Sequence, residues 1–119
     1  NIATSGAVGT VALATTGTRT PTGGVTLPAT VGTVTAASFA VTGSGTFTYA
    51  ITLPAAPITL AGTTAGVTVG TFVSNPSGTG ALTAGAQTVL VGATLNLPVS
   101  TAAGSYTNAA GLTVTVNYN

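Results

Sequence analysis

The sequence predicts an all-β chain, an antiparallel sandwich or barrel, and three observations lead there. Apolar residues alternate with Thr at a period of two in several stretches. Turn signals built on Gly and Pro separate these stretches at spacings of about 8 to 12 residues, the rhythm of hairpin-connected strands. Gly, Thr and Val are abundant while the charged helix formers are missing, which disfavours helix throughout.

In chain order, short strands are expected at residues 10–14, 24–27 and 38–42. Residues 46–53 give a stronger signal: Phe47, Tyr49, Ile51 and Leu53 share one face and Thr fills most of the other, the pattern of a half-buried strand. Further candidates are residues 58–60 and 66–73, then 88–97, where Val89, Val91, Leu95 and Leu97 share a face. The last is 111–118, with Leu112, Val114, Val116 and Tyr118 pointing inward. About eight strands result, in a single domain over residues 1–119. Turns are expected at Thr16-Gly17, Thr22-Gly23-Gly24, Gly43-Ser44-Gly45, Pro54-Ala55-Ala56-Pro57 and Asn75-Pro76-Ser77-Gly78. Gly43-x-Gly45 and Gly78-x-Gly80 read as plain turns, since neither is completed into a phosphate-cradling motif.

What the chain lacks narrows its function. It contains no Asp, Glu, Lys, His, Cys or Met, and Arg19 is its one charged side chain. General acid–base catalysis needs a tunable His, carboxyl or Lys, and a nucleophilic Ser or Thr needs a neighbouring base. The composition therefore predicts a protein that is not an enzyme, with no catalytic residues and no cofactor. Metal sites draw on imidazole, thiolate or carboxylate, so none is expected. One Arg cannot generate the field that nucleic-acid binding requires. No apolar run approaches the roughly 20 residues of a membrane-spanning helix. Asn75-Pro76-Ser77 is barred from N-glycosylation by its Pro. Arg19, without an acidic side chain to meet, is expected at the surface, bonded to carbonyls, water or a terminal carboxylate. A nearly uncharged chain also lacks the repulsion that keeps soluble domains apart, so packing against copies of itself should cost little.

Several blocks in order carry a family resemblance: Gly17-Thr18-Arg19-Thr20, Thr22-Gly23-Gly24-Val25-Thr26-Leu27, Ala37-Ser38-Phe39-Ala40-Val41-Thr42-Gly43, Tyr49-Ala50-Ile51-Thr52-Leu53-Pro54 and Val114-Thr115-Val116-Asn117-Tyr118-Asn119. On these the chain resembles the bacterial domain of unknown function 4402 family, which in turn is similar to the spore-coat-protein-U-like pilins of archaic chaperone–usher pili. That resemblance implies an immunoglobulin-like antiparallel sandwich, incomplete and completed by a strand donated from the next subunit. It also implies an extracellular, cell-surface filament of identical subunits, assembled with a periplasmic chaperone and an outer-membrane usher. The family's usual N-terminal alternating stretch, the donor in the pilins, is missing ahead of Asn1. Either the donor lies outside these residues, or residues 1–15, with Val8, Val11 and Leu13, serve instead; residues 1–9 would then be a stub given to a neighbour. The expected subunit-contact residues are Val8, Val11, Leu13, Leu112, Val114, Val116 and Tyr118. The alternatives are a secreted coat or matrix protein that associates without donation, and an ice- or carbohydrate-binding module. The last is disfavoured because strands of such different length and pattern promise no regular Thr rows.

Carboxyl and imidazole side chains, which usually link stability to pH between about 4.5 and 8.5, are absent, so the melting temperature should stay level across that window at fixed salt. A shift of about ten degrees, on the scale of more than 1 kcal/mol for a chain this size, would contradict this.

Overall fold

The alternation is realised as strands, and the glycines and prolines end most of them. The computed structural model of the chain describes residues 1–29 and 32–119, and among these there are nine strands and no helix. They are β1 (Ala3–Leu13), β2 (Arg19–Thr26), β3 (Ala37–Thr42), β4 (Thr48–Thr52), β5 (Ile58–Thr59), β6 (Thr68–Asn75), β7 (Thr79–Ala81), β8 (Ala86–Leu97) and β9 (Thr115–Tyr118). All pairings are antiparallel. One sheet has six strands in the order β2-β1-β8-β6-β5, with β3 also on β8; the other has three, β7-β4-β9. The expected all-β, sandwich-like arrangement of two antiparallel sheets is what the chain forms.

The twelve residues of β8 organise the larger sheet. Its first half pairs with β3, from Thr42↔Ala86 to Ala37↔Val91, and its second half with β1, from Leu13↔Ala93 to Gly9↔Leu97. Strand β6 runs along its other flank, from Asn75↔Leu90 to Thr68↔Asn96. Two cores follow from this length. Between the sheets lie Val41, Tyr49, Ile51, Leu82, Val89 and Val91. The second, around Val11, Val25, Val67 and Leu97, sits beyond the small sheet and is roofed by connecting segments that include Leu60 and Tyr106.

Tyr49 is the largest fully buried side chain, at 0% exposure. It pairs with Gly80, where any Cβ would overlap the phenol ring, so a glycine is required for the ring to lie across β7. Burying a phenol demands a partner for its hydroxyl. Tyr49 Oη donates to Gln87 Oε1, which also accepts the Ala81 amide at 3.1 Å.

A bulge sets the inward faces of β6. Its register with β8 shifts between Gly70 and Val73, and Thr71 takes the left-handed backbone at φ 49°. That conformation is strained for a β-branched residue. The extra residue switches the parity: Val67 faces inward before it, and Phe72 packs on the main core after it.

Several expectations need correction. Thr22-Gly23-Gly24 is not a turn; it lies inside β2, opposite a looped-out stretch of β1 between Thr4 and Gly9. Strand β4 begins at Thr48, and Phe47 is 63% exposed on the preceding turn rather than on the inward face. The last strand is regular only from Thr115, although Leu112 and Val114 still pack on the core. Tyr118 does not point into the core; it is 55% exposed at the chain end, where its hydroxyl donates to Thr42 O and its ring meets Tyr49 edge-on at 6.5 Å. Gly80 belongs to β7, a strand too short for its alternation to be visible. The turns at Gly17, Gly43–Gly45, 54–57 and 75–78 stand as expected.

Burial, and secondarily the nearby Tyr118, raises the Tyr49 pKa above the ordinary value of 10.0. The native state therefore holds this proton after the unfolded chain has begun to lose it. That contribution to stability is complete below about pH 10 and declines as the pH climbs towards the native value. The melting temperature should fall above about pH 10, and Tyr49→Phe should flatten the fall while costing about 1 kcal/mol at neutral pH for the lost hydrogen bond. A wild-type alkaline limb unchanged in Tyr49→Phe would refute the assignment.

Candidate subunit-contact edge

The small sheet is too narrow to cover the large one. Strand β9 pairs with β4 on one flank, from Tyr49↔Tyr118 to Thr52↔Thr115, and among the described residues no strand takes the other. An uncovered flank presents unpaired N–H and C=O groups that template an added strand. Beside the segment that leads into β9, the inner face of the large sheet opens into a cleft of about 370 Å³. Leu13, Ile58, Val69, Phe72 and Val91 line it from the large sheet and Leu112 from the C-terminal segment. Hydrogen bonds hold the mouth: Asn108 Nδ2 donates to Thr59 O at 2.8 Å, and Ala61 and Thr107 exchange backbone bonds at 2.7 and 2.9 Å.

The expected contact residues are distributed unevenly around this edge. Leu13 and Leu112 meet in the cleft, and Val114 and Val116 pack half-buried beside it on the main core. Val11 is buried in the second core, in the part of β1 flanked by both β2 and β8. Giving that part of β1 to a neighbour would open the large sheet. Val8 is 59% exposed in the looped-out stretch, remote from β9 in the pairing scheme. Residues 1–8 are exposed throughout; Ala3 and Thr4 pair with Thr26 and Val25, and Thr4 Oγ1 donates to Thr101 O at 3.0 Å. Half-buried Arg19 donates from Nη1 to Asn1 O at 2.9 Å, a carbonyl partner of the expected kind.

Sequence reasoning missed Ile58, Val69 and Phe72 as cleft residues, because they come together only through the bulge and pairing of β6. It also missed an aligned polar row on the outer face of the large sheet. Pairing places Thr22, Thr10, Asn96 and Thr68 side by side across four strands. The hydroxyls of Thr10 and Thr22 lie 2.5 Å apart, and Asn96 Nδ2 reaches Thr68 Oγ1 at 3.4 Å.

Two antiparallel sheets, with an apolar cleft beside the segment that leads into the edge strand β9, define a β-sandwich-type domain. The chain belongs to the family described as Domain of unknown function (DUF4402), whose family model matches residues 1–118. No curated protein and no solved structure gives a significant match to it.

Val114→Asp or Val116→Asp would set a carboxylate without a cationic partner against the core, and each should destabilise the fold by about 2–3 kcal/mol in denaturant unfolding. Thr115→Ser, on the exposed face of the same strand, should stay within about 0.5 kcal/mol of wild type. Equal losses on both faces would remove the basis for the inward assignment.

Proposed function

We propose that this chain is a structural subunit of an extracellular bacterial pilus or fibre, assembled by adding a strand from a neighbouring copy to the free flank of β9. One observation carries the reading: the segment that leads into the edge strand β9 lines an apolar cleft that an added strand would roof. Backbone ladder bonds would supply affinity there, and alternate apolar side chains would enter the cleft. Such a contact is head-to-tail and does not close, so it propagates as a filament. The resemblance to archaic chaperone–usher pilins supports the same reading, with a periplasmic chaperone and an outer-membrane usher as assembly partners. The composition supports a mechanical rather than a catalytic role, because no side chain can serve as a general base near neutral pH.

The polar row on the outer face favours a second reading, a coat or matrix protein whose copies associate laterally. Uncharged Thr and Asn side chains can exchange hydrogen bonds with an identical face, and no charge of the chain opposes it beyond Arg19.

Pro scanning separates the two. Proline at an added-strand ladder position removes a donor and obstructs pairing. With Pro substituted singly through residues 111–118 and 1–15, at least one position on the β9 flank should keep the circular dichroism of the folded subunit and abolish filaments in negative-stain images. If no position does so, while changes in the Thr10–Thr22 row do, lateral association replaces strand addition.

A further inference from the structure

Of the free strand flanks among the described residues, that of β3 is the least guarded. It pairs only with β8, over six residues and without a break in register. The other free flanks are blunted: β2 carries Pro21 and Gly23-Gly24, β6 bulges at left-handed Thr71, and β5, β7 and β9 have two, three and four residues. Short length, Pro, bulges and charge are the usual protections of a sheet edge, and β3 has none of them. The register also tells which backbone groups are free. Gly43 continues the pairing beyond Thr42↔Ala86 by donating to Gly85 O at 2.9 Å, so it faces β8. Antiparallel partners alternate, so Val41, Phe39 and Ala37 face β8 as well, while Thr42, Ala40 and Ser38 point their N–H and C=O groups away. Thr42 O accordingly accepts the Tyr118 hydroxyl. All three outward residues are exposed.

We propose that β3 is a docking edge whose occupant is β3 of a second copy, paired antiparallel about a two-fold axis at Ala40. Centring on Ala40 is the choice that uses all three outward residues. Ala40 then exchanges two hydrogen bonds with its counterpart, and each Ser38 two with the opposite Thr42, so the partial charges of donor and acceptor are complementary along the whole contact. Thr42 O keeps a lone pair for this beside the Tyr118 hydroxyl. The side chains match in the same register. On the inner face each Phe39 lies opposite the second copy's Val41, an aromatic and β-branched pair; on the outer face Ser38 lies opposite Thr42, and two small Ala40 side chains meet at the axis. The contact is isologous and closes on itself, joining two large sheets into one, whereas strand addition at β9 is head-to-tail. It uses none of the β9 edge. An edge of six residues falls short of the roughly 800 Å² per partner of a standard interface, so the dimer is reversible and concentration-dependent.

The chain has no cysteine, so single thiols can map the contact. A bonded pair on adjacent antiparallel strands sets its Cα atoms about 5.5 Å apart, within disulfide reach. Under mild oxidation Ala40→Cys should form a homodimer at least tenfold faster than Thr88→Cys, its neighbour on β8. Ser38→Cys mixed with Thr42→Cys should give heterodimer at least fivefold over either homodimer. Sedimentation of the wild type, or of a non-polymerising β9 Pro variant where the wild type polymerises, should show a mass rising towards that of a dimer with concentration. Ala40→Pro loses only an amide that points away from β8, so it should keep the circular dichroism and melting temperature yet stay monomeric. Cross-linking at Ala40 no faster than at Thr88, Ser38→Cys homodimer in excess of the heterodimer, or a mass that stays monomeric would each overturn the contact. Cross-linking at Ala40 with no filaments under any condition leaves this contact standing and removes strand addition. Filaments without the Ala40 cross-link do the reverse.

Discussion

The larger sheet is registered against the backbone of β8. Strands β1, β3 and β6 all take their alignment from it, so its 86–97 span fixes the length of the large sheet and the separation of the two cores. A strand of twelve residues is about twice the common length. The three-stranded sheet matches only part of that span. The uncovered cleft beside β9 is a consequence of pairing a long sheet with a short one.

The interior is made from small and β-branched side chains, so its stability comes from area spread over many contacts and from ladder bonds, with Tyr49 as the one large anchor. Glycine opposite that ring and the glutamine on its hydroxyl solve the two problems of burying a phenol in a thin sandwich. Among the described residues that are not exposed, no buried side-chain nitrogen or oxygen lacks a partner. The absence of carboxylates and amines thus leaves no ionic debt inside. At the surface the same absence removes both repulsion and salt-bridge specificity, so any specific contact between copies must come from shape, apolar burial and backbone pairing. The open β9 flank and the cleft are features of that kind.

The sequence by itself determined that the chain is all-β, where most strands lie, and which side chains of 46–53, 88–97 and 111–118 could form a core, because a period of two is a local property of neighbouring residues. It also bounded the chemistry, since a side chain that is absent cannot act. Pairing and parity were decided only in three dimensions. Nothing local distinguishes Gly23-Gly24 in a turn from Gly23-Gly24 facing a bulge, and nothing in Val69-Gly70-Thr71-Phe72 announces that Thr71 turns left-handed and brings Phe72 to the inner face. Phe47 and Tyr118 obey the alternation yet stay exposed, Phe47 because the chain is still in the turn before β4 and Tyr118 because it stands at the chain end. The convergence of Leu13 with Leu112, nearly the whole chain apart, and the row through Thr22, Thr10, Asn96 and Thr68 depend on which strands became neighbours. That choice is set by the summed burial of both cores, a quantity no single stretch of sequence contains.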